Sequence, residues 1–281
     1  MSGELSALPS LRDTIRAHGL LADKRFGQHF LTDPSILSRI VDGAGDISAG
    51  TVFEIGPGPG GLTRALLHGG AGRVIAIEID PRCAAIAREI AAADARLHVI
   101  EGDALAQNLA NLAAPPRRIV ANLPYNVATP LLFGWLGQTA EDPTAFASMT
   151  LMFQREVADR ISAKPETKAY GRLAVMAQWL THVQKLLDLP AGAFTPPPKV
   201  ASAVVRLTPR PTAPGAVLFK AMERVTAAAF GQRRKMLRQS LKAVAPDANA
   251  FLDAAGIEPT RRAETLSVAE FERLATAMPR P

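Results

Sequence analysis

The run Glu54-Ile55-Gly56-Pro57-Gly58-Pro59-Gly60-Gly61 follows the apolar pair Val52-Phe53 and precedes Leu62-Thr63-Arg64-Ala65-Leu66-Leu67. Residues 52–55 read as a buried strand and residues 62–67 as a helix. The glycines between them form a strand-to-helix turn whose backbone a ligand can approach closely. Outward from this turn the same alternation continues. Residues 74–79, 97–100 and 119–121 are strand-like apolar runs, and residues 82–92 and 105–112 have helical patterns. Alternating β and α units predict a parallel sheet covered by helices. Residues 148–153 and 200–207 read as further strands. Residues 1–50 are expected to be helical, with stop signals at Gly19 and Gly43. The expected division is a first domain over 1–207, a linker at 208–215 around Pro209, Pro211 and Pro214, and a small helical domain over 216–281.

The turn alone leaves the ligand open. Glu78 ends the next strand, with Asp80 two residues on, and an acid about 20 positions past a glycine turn is well placed for ribose hydroxyls. Gly56, Gly58 and Gly61 also fit G-x-G-x-x-G, so a nicotinamide dehydrogenase stays possible at this point. Asp103 follows the third strand, where a carboxylate can accept from an adenine amine or cap a helix. The fourth strand ends in Asn122-Leu123-Pro124-Tyr125. That tetrapeptide has no role in hydride transfer. It suits methyl transfer to an exocyclic amine, whose lone pair is delocalised into the ring. Two acceptors, the Asn122 side-chain oxygen and the Leu123 carbonyl, would hold the amine hydrogens. Pro124 would stiffen the turn, and Tyr125 would offer a stacking face to an extruded base.

Several segments then resemble one family, the ribosomal RNA adenine dimethyltransferases, and in particular its bacterial small-subunit branch. They are Phe26-Gly27-Gln28-His29-Phe30-Leu31, the 54–61 turn, Asn122-Leu123-Pro124-Tyr125, Lys168-Ala169-Tyr170-Gly171-Arg172-Leu173-Ala174-Val175, Phe194-Thr195-Pro196-Pro197-Pro198-Lys199-Val200-Ala201-Ser202-Ala203-Val204-Val205-Arg206-Leu207, and Gln232-Arg233-Arg234-Lys235. The resemblance implies an α/β, Rossmann-like class I methyltransferase sheet with helices on both faces, plus a small all-helical C-terminal domain. It implies S-adenosylmethionine as methyl donor. His29 and Leu31 would border its methionine end, Gly56 would lie beneath it, Glu78 would hold its ribose and Asp103 its adenine amine. Asn122 would stand between cofactor and target. The position of His29 is often Asn in the family. Phe194 would cover the adenine face opposite Tyr125. The implied reaction places four methyl groups on N6 of two adjacent adenosines in a hairpin loop near the 3′ end of 16S rRNA, in an immature small ribosomal subunit.

Charge supports a polyanionic partner. The chain carries net charge +6, and residues 190–281 hold 14 Lys and Arg against 7 Asp and Glu. At 100° per residue, a helix over 232–244 would put Phe230, Leu237, Leu241 and Val244 on one face. Arg234, Lys235, Arg238 and Lys242 would fall on an adjacent arc, facing RNA phosphates. Arg261 and Arg262 add a second pair, and Arg233 falls beside the apolar face. The single cysteine, Cys83, excludes an intramolecular disulfide and any multi-cysteine metal site, and no metal is expected. No apolar run approaches ~18 residues and no leader pattern is evident, so a cytoplasmic setting is expected, and an enzyme that must dock on a large particle is expected to be a monomer. Two rivals remain beside the dehydrogenase. One is an adenine-N6 methyltransferase acting on large-subunit rRNA or DNA, and the other is a ribosome-assembly factor that mainly binds.

Overall fold

The computed structural model describes residues 5, 7–20 and 29–278. Phe26, Gly27 and Gln28 of the first motif lie outside the described residues. By internal contacts the chain forms two compact units. One comprises Met1–Trp135, Thr144–Ala158 and Gln184–Pro209; the other comprises Leu136–Pro143, Asp159–Val183 and Arg210–Pro281. The chain enters the second unit for the last time near the expected linker, but that unit also takes in two earlier segments which the expected division had left in the first domain.

In the first unit, β2 (Thr51–Ile55), β3 (Val74–Glu78), β4 (Leu97–Glu101), β5 (Arg117–Asn122) and β6 (Ser148–Gln154) pair in parallel. The strand β9 (Ser202–Pro209) runs antiparallel to β6, and β7 (Thr181–Leu189), whose first three residues belong to the second unit, completes the order β4-β3-β2-β5-β6-β9-β7. Every residue of β2 and β3 is buried, as both-face coverage by helices requires. The helix α2 (Pro34–Ala44) supplies Leu37, Ile40, Val41 and Ala44, a spacing that stacks on one face. α3 (Gly61–His68) buries Leu62, Leu66 and Leu67, and α4 (Pro81–Ala93) buries Cys83, Ile86 and Ile90. Each such large side chain removed from water stabilises by about 1.5–3 kcal/mol. Burial also pushes the Cys83 thiol up to about 12, leaving it a packing residue.

The strands follow the apolar runs closely, and four helical expectations need correction. Residues 105–112 do not form one helix but two 3-10 turns, Ala104–Ala106 and Leu109–Asn111. Asp103 and Asn108 accept from the backbone N–H groups of Leu105 and Ala110, and these local bonds compete with a continuous helix. α2 runs past Gly43 to Ala44 and is capped by Gly45. The N-terminal fifty residues are not purely helical: after α1 (Leu11–Ala17), the strand β1 (Phe30–Leu31) pairs with β8 (Phe194–Thr195), setting Phe30 opposite Thr195 and Leu31 opposite Phe194.

The fourth correction falls in the second unit. α8 (Gly215–Gly231) ends before the basic run, because Gln232 (φ −126°, ψ 53°) and Met236 (φ −65°, ψ 151°) leave helical geometry. α9 (Leu237–Ser240) and a 3-10 turn, Leu241–Ala243, follow, so the segment 232–244 is no single helix. Leu237 and Leu241 are nonetheless fully buried, while Arg234, Lys235, Arg238 and Lys242 are exposed. Arg233 is structural. It donates to Glu264 at 2.6 Å and to the carbonyls of Lys168 and Thr167 at 2.7 and 3.1 Å. Tyr170, buried and bonded to the Leu266 carbonyl, packs edge-on against Phe230, which stacks on Phe271 of α11 (Val268–Ala277). The Lys168–Val175 and Gln232–Lys235 motifs thus brace each other. Arg261 is likewise engaged, by Glu270 and the Thr265 carbonyl, while Arg262 is exposed.

Candidate active site

In a parallel sheet, ligands bind beyond the carboxyl ends of the strands where the strand order reverses. Here the chain proceeds outward from β2 to β3 and β4, then returns to place β5 on the other side of β2. Gly56 leaves β2 and Asn122 ends β5, so both stand at that reversal. A cavity of about 210 Å³ opens there, and its walls include His29, Leu31, Gly56, Glu78, Asn122, Leu123, Pro124 and Tyr125. Eight of the ten expected site residues are therefore brought together.

The floor is Gly56, at φ 67°, a backbone conformation that a side chain would strain. Its amide is held by the Ile77 carbonyl at 2.9 Å. Gly60, at φ 85°, starts α3, and a Cβ there would come within 2.3 Å of Ile90. Glu78, 5% exposed, accepts from the Gly58 and Asp80 amides at 3.1 and 2.9 Å, one on each carboxylate oxygen. Burial raises its pKa, and those two amides oppose the rise. Each oxygen keeps a lone pair for a ligand hydroxyl.

Glu54 is a cavity residue to which the sequence reading gave no role. It is 1% exposed, and burial pushes its carboxyl up to about 8, with Glu78 adding to the rise and Thr63 opposing it. Its Oε2 has no hydrogen-bond partner among the described residues. Such an orphaned buried polar atom fits a cavity that receives a polar ligand.

Beside Gly56 stands the Asn122–Tyr125 corner: a Cβ on Gly56 would lie 3.7 Å from Pro124. The Asn122 side-chain nitrogen donates to the His29 carbonyl at 3.4 Å, which leaves its oxygen free to accept. The Pro124 carbonyl already accepts the amides of Val127 and Ala128, closing the turn into α5 (Ala128–Glu141). His29 donates through Nδ1 to the Pro196 carbonyl at 2.9 Å, and its ring lies 5.9 Å from that of Tyr125. Together with the β1–β8 pair, this bond fastens the His29 segment to the triple-proline segment, a contact that sequence spacing could not reveal.

Two expected residues stand off the cavity. Asp103 is exposed and caps the 104–106 turn through its contact with Leu105. It lies two residues past Glu101, the register partner of Glu78, and so stands at the same end of the sheet as Glu78. Phe194 is 3% exposed and packs in the hydrophobic core with Phe30, Leu31 and Val204.

The family described as ribosomal RNA adenine dimethylase matches residues 19–278 of this chain. The chain belongs to that family. The ribosomal RNA small subunit methyltransferase A of Rhodospirillum rubrum is 57% identical over 272 residues, spanning 96% of this chain and 93% of the relative. The protein of the same name from Mesorhizobium japonicum is 54% identical over 281 residues, spanning 98% and 99%. Among solved structures, a dimethyladenosine transferase from Plasmodium falciparum superposes with TM-score 0.71 at 28% identity, over 88% of this chain and 96% of that one. The 23S rRNA methyltransferase ErmE gives 0.63, also at 28% identity, over 89% and 99%. Family membership makes the chain an rRNA adenine dimethyltransferase that uses S-adenosylmethionine, on a Rossmann-like class I sheet. The dehydrogenase reading is thereby discarded. Among the described residues, no helix is long and apolar enough to cross a membrane.

Proposed function

We propose that this enzyme dimethylates N6 of two adjacent adenosines in a hairpin loop near the 3′ end of small-subunit (16S) rRNA, acting in the cytoplasm as a monomer on an immature subunit. The observation that carries this reading is the presence of the Asn122–Tyr125 corner, Gly56 and Glu78 together in the lining of one cavity. The small-subunit assignment is supported by relatives of that name at 54–57% identity.

The cofactor, when bound, supplies an electrophilic methyl group carried on a sulfonium. His29 and Leu31 border its methionine end, Gly56 admits it against bare backbone, and Glu78 takes its ribose hydroxyls. Asp103, whose carboxylate keeps acceptor capacity beyond the Leu105 contact, receives its adenine amine. The target adenine stacks on Tyr125, a contact worth about 1–3 kcal/mol per base. The Asn122 oxygen and the Leu123 carbonyl accept the two amine hydrogens and favour the pyramidal nitrogen formed during attack. The Pro124 carbonyl is committed to the turn, which leaves the Leu123 carbonyl for this role. Holding the nitrogen in line with the methyl group supplies much of the acceleration. The amine proton becomes acidic only after attack, so no strong base is required. Phe194 acts from the core, as the β8 residue that pairs with Leu31 and backs the His29 segment. Arg234, Lys235, Arg238 and Lys242 take phosphates.

The test supplies methyl-labelled cofactor and unmethylated small subunits, with large subunits in parallel. Digested RNA is examined by mass spectrometry. N6,N6-Dimethyladenosine at two neighbouring positions of small-subunit rRNA is the expected product. Label confined to large-subunit rRNA would overturn the assignment.

A further inference from the structure

The ring of Tyr125 lines the cavity, but its hydroxyl belongs to another element. It lies 2.7 Å from the Ser202 hydroxyl, at the favoured separation of an O–H···O hydrogen bond. Ser202 is fully buried at the start of β9, where it is the register partner of Gln154 in β6. Among the described residues it is the one hydrogen-bond partner of the Tyr125 hydroxyl. The corner residue is therefore tied, 77 positions along the chain, to the strand that emerges from the triple-proline segment.

We infer that Ser202 is a positioning residue: its hydroxyl fixes the plane of the Tyr125 ring against which the target adenine stacks. The inference rests on the proposed function. The terminal torsion of a tyrosine is broad, so packing alone leaves its ring free to swing through a range of planes. A bond at the ring's tip, anchored in a buried strand of the sheet, removes that freedom before the base arrives. The His29 ring beside Tyr125 is tilted by 32° at 5.9 Å, so the two rings do not stack flat. The demand on the ring plane is greatest in the second transfer to each adenosine. The amine then carries a methyl group already, so one hydrogen instead of two is left for the acceptors to hold, and the stacking plane carries more of the positioning. Loss of the bond should slow the second transfer more than the first, and monomethylated adenosine should accumulate.

The test compares wild type with Ser202→Ala, Ser202→Thr, Tyr125→Phe and the Ser202→Ala/Tyr125→Phe double variant on unmethylated small subunits. It reads kcat, KM and the ratio of mono- to dimethyladenosine. An unmade hydrogen bond predicts that Ser202→Ala and Tyr125→Phe each lose about three- to tenfold in kcat and raise the monomethyl share. The double variant should fall no lower than the worse single one, because both remove the same bond. Ser202→Thr, which keeps the hydroxyl, should recover kcat to within about twofold of wild type. Affinity for S-adenosylhomocysteine should be unchanged in all of them. Losses that multiply in the double variant, or a wild-type rate and product ratio in Ser202→Ala, would overturn the inference. If Ser202→Ala does not fold, Tyr125→Phe decides, since it removes the bond and leaves β9 intact; a wild-type product ratio there overturns the inference. Tyr125→Ala separates the two levels. Full activity in that variant sinks the stacking role and the positioning role together, whereas inactivity beside a wild-type Ser202→Ala sinks the positioning role alone.

Discussion

Glu54 shows how a single residue can carry a cost that its neighbours do not offset. Burial pushes its carboxyl up to about 8, so at neutral pH it is mostly protonated in the folded chain and ionised in the unfolded one. A raised folded-state value means that its contribution to stability is complete below the ordinary carboxylate range and is lost as pH rises from about 4.5 toward 8. Glu54→Gln removes that dependence. Its melting temperature without cofactor should match wild type near pH 4.5 and exceed it by a few degrees near pH 8. A constant difference across the range would contradict the assignment. Gly56→Ala should weaken S-adenosylhomocysteine binding, measured by calorimetry, about tenfold or more, because φ 67° strains any Cβ in the cavity floor. At this scale the sequence was informative wherever chemistry fixed the residue type. The glycine turn, Glu78 and the Asn122–Tyr125 tetrapeptide all reached the cavity. Asp103 and Phe194 did not, because a strand-end carboxylate caps the following turn equally well and a lone aromatic packs equally well in a core.

Elements were legible where one face alone is buried or where both are. The strands 52–55 and 74–79 read correctly because continuous apolar runs suit a sheet covered on both sides. The basic segment after Gly231 did not, since its apolar residues keep a helical spacing while two backbone positions break the helix. The spacing still predicted burial of Leu237 and Leu241 and exposure of the four cations, because the turn happens to preserve their sides. This separates two kinds of arginine. Arg233→Ala should cost about 1–3 kcal/mol by chemical denaturation, since it strips partners from Glu264 and two carbonyls. Neutralising Lys235 and Arg238 together should change stability by less than about 1 kcal/mol. It should instead reduce the slope of log affinity for small-subunit RNA against log salt by about 1.5. An unchanged slope would remove these two residues from the RNA surface.

For the whole molecule, order along the chain carried the most information. A glycine turn, an acid one strand later and an amide-rich corner two strands after that can meet only if the sheet reverses its strand order between them, and it does so between β2 and β5. What the order could not show are contacts made across long separations: the β1–β8 pair, the His29–Pro196 bond, and the division into units that each draw on several segments. Apolar pattern and charge describe neighbours along an element, and these contacts join residues from opposite ends of the chain.

The central claim is that the Asn122–Tyr125 corner grips the target amine while the adjoining Gly56 and Glu78 hold the cofactor. Asn122→Ala tests it most directly, with S-adenosylhomocysteine affinity and methyl transfer to unmethylated small subunits measured on the same preparation. The account predicts affinity within about threefold of wild type and a loss in kcat on the order of 100-fold or more. A variant that still dimethylates at near the wild-type rate would contradict it.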